Sequence, residues 1–254
     1  MDSFGMDVSN QVIHDKRIST GIKGLDPLVS GGFLQGSVVL VSGTPGTGKT
    51  IVCFQYIQQG IKNGEKCLYF TSDERVHSLI HQANELGFNF QQYIDSGQLT
   101  FRYLDLDKRD VHKEMDDILQ TGSFSRVVLD SLTPLSEIPV WLVNKGNEII
   151  PSEVSFDKNT FPVNSIQATR THVRRLISLL SNNECTTLVT SEIPEGSHCL
   201  SRDSISEFLV DGIIILDLDV TMDRRKLTIR KMRGTKHTLK PQNISIDTTG
   251  IKIV

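Results

Sequence analysis

Gly43-Thr44-Pro45-Gly46-Thr47-Gly48-Lys49-Thr50 is the stretch on which the reading of this chain turns. It matches G-x-x-x-x-G-K-[ST] at every fixed position. The apolar run Ser37 to Val41 precedes it, and a segment of helical period, Thr50 to Lys62, follows. A strand before and a helix after give the motif physical sense as a phosphate-binding loop. Glycines at 43, 46 and 48 permit positive φ and a close approach of backbone N–H groups to an anion, and the helix start adds unpaired donors and partial positive charge. Lys49 is expected to reach the β- and γ-phosphates of a nucleotide and the Thr50 hydroxyl to hold Mg²⁺, with Thr44, Pro45, Thr47 and Ile51 completing the nucleotide-binding run.

Working outward, short β-branched runs alternate with helical segments, the pattern of βαβ units and a mostly parallel, buried sheet. In the first helix Val52, Phe54, Ile57 and Ile61 form an apolar stripe. Strands are expected at Cys67 to Thr71, Leu99 to Leu104, Arg126 to Leu129 and Thr186 to Thr190. Helices are expected at Val76 to Leu86, Val111 to Leu119 and about Ile166 to Leu180. Beyond these, Gly212 to Asp217, Lys226 to Met232 and Asn243 to Val254 read as antiparallel strands that extend the sheet. The fold class is therefore α/β. Residues 1–16 read as an N-terminal arm and 17–254 as a single domain. The polar stretch Pro139 to Ser165, with Pro151 and Pro162 and no clear period, reads as a long loop or insertion.

A nucleotide–magnesium site also needs acidic side chains at the carboxyl edge of the sheet. Arg126-Val127-Val128-Leu129-Asp130 ends an apolar run on Asp130, the second candidate for the metal. Asp73 and Glu74 follow the strand Cys67 to Thr71 and are candidates to position the attacking water. An acidic first turn of a helix gives the same pattern.

Composition is that of an ordinary globular chain: 38% hydrophobic, 22% charged, and a formal net charge of −3 over 254 residues. Such a charge supplies no global attraction to nucleic acid or to an anionic membrane. The four cysteines, Cys53, Cys67, Cys185 and Cys199, include no C-x-x-C pair and read as buried thiols. The longest apolar runs are of strand length, too short to span a bilayer. With no secretory pattern in Met1 to Lys16, a cytoplasmic protein is expected.

Together these residues resemble the RecA superfamily and, within it, the KaiC family with its single-domain archaeal members. The resemblance is carried by Ile18-Ser19-Thr20-Gly21-Ile22-Lys23-Gly24-Leu25-Asp26, Gly31-Gly32, the phosphate loop, Thr71-Ser72-Asp73-Glu74, Val128-Leu129-Asp130-Ser131-Leu132 and Lys231-Met232-Arg233-Gly234-Thr235-Lys236-His237. It implies a ring, commonly a homo-hexamer, with ATP and Mg²⁺ between neighbouring subunits. On that pattern Lys231 and Arg233 act in trans on the γ-phosphate, and His237 contributes to nucleotide binding in trans. KaiC-like domains usually carry two glutamates where this chain has Asp73-Glu74, which implies slow turnover. Glu207-Phe208 stands where the family's autokinase half has its Ser and Thr acceptors, so autophosphorylation is not expected there.

Three functions follow from these features. The first is a ring-shaped ATPase that drives or times association with a protein partner. A second is a RadA-type recombination accessory that binds single-stranded DNA, which calls for basic residues and aromatic platforms on axial loops; the loop Ser191 to His198 is acidic on balance and has no phenyl or indole platform. A third is a nucleotide-binding regulatory subunit with little hydrolysis.

Overall fold

The computed structural model describes residues 16–106, 111–137, 142–145, 148–151, 170–181 and 184–254. All of the N-terminal arm but Lys16, most of the 139–165 stretch and the first residues of the helix expected from Ile166 lie outside these.

The first β-α unit is β3 (Val38–Gly43) and α1 (Lys49–Lys62), after a two-residue pairing of β1 (Arg17–Ile18) with β2 (Phe33–Leu34). There follow β4 (Cys67–Thr71), α2 (Val76–Glu85), α3 (Gln91–Asp95), β5 (Leu99–Tyr103), α4 (Val111–Gly122), β6 (Arg126–Asp130) and α5 (Leu132–Glu137). After the hairpin β7 (Leu142–Lys145) and β8 (Glu148–Pro151) come α6 (Arg170–Ser181), β9 (Thr186–Glu192), α7 (Ser206–Leu209), β10 (Gly212–Asp219), β11 (Arg224–Met232), β12 (Gln242–Asp247) and β13 (Gly250–Ile253). Nine strands form one sheet in the order β13-β12-β11-β10-β3-β9-β6-β4-β5. Strands β10 to β5 in that order are parallel, and β11, β12 and β13 extend the sheet antiparallel.

Every residue of β3 is buried, as a central parallel strand covered on both faces must be. Val39 and Val41 join the core beneath α1 and α2, whereas Val38 and Leu40 join the one beneath α4 and α6. Helix α1 is buried on more than its sheet-facing stripe, because β13 closes over its other side. The Gln55 side chain donates to Ile251 O at 2.9 Å and accepts from Ile251 N at 2.8 Å, pairing helix to strand as a neighbouring strand would.

The N-terminal motif has a structural reason. Thr20 N and Oγ1 both donate to Asp26 Oδ1, at 2.9 and 2.6 Å, closing the loop between them. Ile253 N donates to Lys23 O at 3.0 Å, so this loop is tied to the last strand.

Arg126 is fully buried and ties three elements together. It pairs with Glu65, donates to Ser19 O at 2.7 Å and Tyr56 O at 3.1 Å, and stacks over the Tyr56 ring at 4.6 Å. Partial burial alone would push the Glu65 carboxyl up, but hydrogen bonds from Arg126 and Asn63 outweigh it and hold it below the usual glutamate range. The depressed value means that this contribution is present above the unfolded-state pKa and lost as pH falls through the folded one. Arg126→Met leaves two carbonyls and a carboxylate without their donor, and is expected to cost about 3 kcal/mol or more. A thermal melt should show Tm lower by on the order of 10 °C.

The sequence reading differs from the structure in places: Gly212 to Asp217 lies in β10, which runs parallel to β3 and only pairs antiparallel with β11, and Asn243 to Val254 is two strands, β12 and β13. The stretch expected to be an irregular loop contains the β7–β8 hairpin. The short helices α3, α5 and α7 have too few residues to show a period. Of the four thiols, three are buried and Cys199 is half-buried.

Candidate nucleotide site

The phosphate loop leaves β3 at Gly43 and enters α1 at Lys49. Gly46 and Gly48 have φ of 80° and 102°, as the motif requires. Gly43 does not adopt a positive φ. It is glycine for lack of room, since a Cβ there would lie 2.5 Å from Leu216 O and 2.7 Å from Thr47 Oγ1. Thr47 Oγ1 donates to Thr44 O at 2.8 Å, tightening the turn that includes Pro45. Lys49 Nζ lies over the loop, donating to Gly43 O at 2.9 Å and Thr44 O at 3.1 Å. Burial lowers its pKa, while the carboxylates of Glu192, Asp130 and Asp73 pull it back up.

Asp130, at the end of β6, sits beside this loop. Thr50 Oγ1 donates to its Oδ2 at 3.0 Å, as does Tyr69 OH at 2.7 Å, and Thr190 Oγ1 bonds its Oδ1. Thr50 and Asp130 thus supply two adjacent hard oxygens. That donor set fits Mg²⁺, which takes one or two protein oxygens and fills its octahedron with water and substrate phosphates.

The two acidic residues after β4 have different surroundings. Asp73 Oδ2 accepts from Ser131 Oγ at 2.7 Å, which brings it next to Asp130. Partial burial raises its pKa, the Ser131 hydrogen bond opposes this, and the charges of Asp130 and Glu192 raise it further. Glu74 Oε2 instead accepts from Ser78 Oγ at 3.3 Å and from Gln82 Nε2, both on α2. Glu74 is therefore held along α2, which begins two residues after it.

Beside the loop an open cleft of about 410 Å³ is lined by Gly46, Gly48, Lys49, Thr50, Ile51, Arg225 and Ile246. Arg225 Nε is shielded from solvent and has no hydrogen-bond partner among the described residues. Four of its seven lining residues belong to the phosphate loop, so the cleft opens directly off the loop toward Arg225 and Ile246.

Lys231 and Arg233 lie elsewhere. Met232 pairs with Gly212, which is in register with Val39, four residues before Gly43. Along a strand that is roughly 13 Å. Both cations are thus at the amino end of the parallel strands, whereas the phosphate loop is at the carboxyl end. Lys231 Nζ donates to Glu207 O at 3.0 Å. Arg233 donates to Phe208 O at 3.1 Å and pairs with Asp211 at 3.3 Å. Arg17 donates to Thr235 Oγ1 at 2.6 Å and Ser30 to Lys236 O at 3.1 Å, fixing the segment, and His237 Nδ1 lies 2.9 Å from Thr235 O.

Four residues of the site were not singled out from sequence: Tyr69, Thr190, Glu192 and Arg225. Glu192 pairs with Gly43 because β9 adjoins β3. No local pattern announces that adjacency.

A strand–loop–helix phosphate cradle at the carboxyl edge of this sheet, with an acidic residue ending a neighbouring strand, defines a P-loop nucleotide-binding protein of RecA-like architecture. The family model "ATPase: KaiC" matches residues 18–140 and 147–254, and the chain belongs to that family. It is similar to a UPF0273 protein of Methanopyrus kandleri, 30% identical over 94% of this chain and 92% of that protein. It is also similar to the circadian clock protein KaiC3 of Synechocystis, 31% identical over 94% of this chain but 44% of that protein. Among solved structures, a KaiC-like protein of Pyrococcus horikoshii superposes with a TM-score of 0.73 at 29% identity, covering 94% of this chain and 99% of that one. The chain is an ATP-binding RecA-like protein. No described helix is long and apolar enough to cross a membrane.

Proposed function

We propose that the protein hydrolyses ATP, with Mg²⁺ held by Thr50 and Asp130, in a ring whose neighbouring subunits complete each site. The observation that carries this reading is the separation of Lys231 and Arg233 from the phosphate loop of their own chain. Charge that develops on a γ-phosphate is stabilised by cations close to it, in cis or from a partner. These two cannot serve in cis across the sheet, but a head-to-tail neighbour presents this edge to the next loop. Sugar and base lie toward Arg225 and Ile246.

Asp73 positions the attacking water, and Glu74, held along α2, does not. Asp73→Asn is expected to lower turnover by about 10²-fold or more. Glu74→Gln should stay within about threefold of the parent, since its oxygen serves Ser78 and Gln82 rather than the water. Steady-state phosphate release on assembled protein distinguishes the two, and the reverse ranking would transfer the role to Glu74.

Three of the similar proteins are named for the circadian clock, which supports a reading in which hydrolysis by this chain is slow and drives or times association with a protein partner. Assembly is tested by light scattering with ATP and Mg²⁺. A mass near six chains is expected, and a monomer that turns over ATP at full rate would overturn the shared-site reading.

A further inference from the structure

We propose that Tyr69 is a positioning residue of the metal site: its buried phenol fixes the Asp130 carboxylate in the orientation Mg²⁺ requires, so that Tyr69 sets metal affinity rather than nucleotide affinity. The inference rests on the reading of Thr50 and Asp130 as the metal's protein oxygens.

Tyr69 lies in the middle of β4 and is fully buried. Its ring stacks on Phe101 at 4.9 Å and 27° and lies 6.0 Å from Phe54. In such a wall a phenylalanine would fill the space without the cost of desolvating a hydroxyl, so the hydroxyl needs a partner. The hydroxyl donates to Asp130 Oδ2, at 2.7 Å, with the buried Cys53 thiol hydrogen-bonded beside it. The register explains the reach: Tyr69 pairs with Val128 and Thr71 with Asp130, so the ring on one face of β4 extends toward the carboxylate two residues on along β6.

Strand β6 lies between β9 and β4 in the sheet. Asp130 is accordingly gripped from both sides, by Thr190 of β9 on Oδ1 and by Tyr69 of β4 on Oδ2. Two fixed donors on different oxygens define the plane of the carboxylate. Thr50 also donates to Oδ2, at 3.0 Å. A hydroxyl that gives a lone pair to a cation keeps its proton, so Thr50 can serve the metal and Oδ2 together; Tyr69, packed against Phe101 and Phe54, is the donor on that oxygen whose position is set by the core and not by the metal. Hydrogen bonds to a charged acceptor are the strong ones, and removing an outer partner of a metal ligand commonly weakens metal affinity 10–100-fold, roughly.

The test uses Tyr69→Phe, which keeps the ring and its packing. A fluorescent ATP analogue is bound to the full chain, and the Mg²⁺ concentration for half-maximal change is read with and without the substitution. The midpoint is expected to rise about tenfold or more, with affinity for the analogue in EDTA unchanged, whereas Tm falls by roughly a few degrees because a buried hydrogen bond to a carboxylate is lost with or without metal. Thr190→Val, which releases the other oxygen, should move the midpoint in the same direction. An unchanged midpoint in Tyr69→Phe would overturn the proposal. So would a metal-free affinity that falls as far as the midpoint rises, because the phenol would then shape the nucleotide site as a whole rather than the metal ligand. If the parent chain binds the analogue with no Mg²⁺ dependence, the metal assignment of Thr50 and Asp130 fails and takes the proposal with it.

Discussion

Arg233→Ala is expected to reduce ATP turnover by about 10³-fold or more while leaving nucleotide affinity within about threefold, because a cation supplied from a neighbour acts mainly on charge that develops in the transition state. Within its own chain Arg233 contacts the Phe208 carbonyl and Asp211 at the edge of the sheet, and its side chain is 54% exposed. Removing it breaks a surface ion pair and exposed hydrogen bonds to the Phe208 and Leu209 carbonyls, which contribute little to stability. A large loss of rate with an unchanged melt therefore points to a transition-state role. Turnover is read on assembled protein, with Tm as the control. Turnover within tenfold of the parent would deny Arg233 that role.

Lys49→Ala acts on the other wall of the site and should be as severe in a different way. Lys49 is the cation of the phosphate loop, surrounded by Asp130, Asp73 and Glu192. Without it the loop keeps its backbone donors, but the carboxylates face the triphosphate uncompensated. Turnover is expected to fall by about 10²–10³-fold, the loss typical of one preorganised stabilising group. Nucleotide affinity should fall too, since this lysine contacts the ground state as well. Binding and hydrolysis measured side by side thus separate the variants: Arg233→Ala loses rate alone, and Lys49→Ala loses both. A Lys49→Ala protein that hydrolysed ATP normally would contradict the assignment of the loop.

How much of this was legible in the sequence depends on how local the determinants are. The phosphate loop is a contiguous run whose residue types follow from the anion it binds, and β3 and α1 lie on either side of it as expected. Asp130 was legible because a carboxylate ending a buried strand is conspicuous. At Gly43 the expected reason for a glycine, backbone freedom, differs from the one the structure gives, since crowding by Leu216 and Thr47 excludes a side chain. The choice between Asp73 and Glu74 could not be read, because it turns on Ser131 accompanying Asp130 and on Ser78 and Gln82 lying on α2. Thr190, Glu192 and Tyr69 were hidden because they meet the loop only through the order β3-β9-β6-β4, a long-range property of the sheet. Nothing local in the sequence marks Arg225 as part of the site. The turn back from β10 brings it to the cleft while leaving Lys231 and Arg233 at the far edge.

That opposition of edges is the centre of the account, and mixing the two variants tests it most directly. Lys49→Ala and Arg233→Ala proteins, each nearly inactive, are combined in equal amounts under conditions that allow subunits to exchange, and phosphate release is measured. If each site takes one wall from each of two neighbours, a random ring should recover up to about a quarter of the parent rate. A mixture no more active than its components, although mass measurement shows mixed rings, would mean that each chain completes its own site.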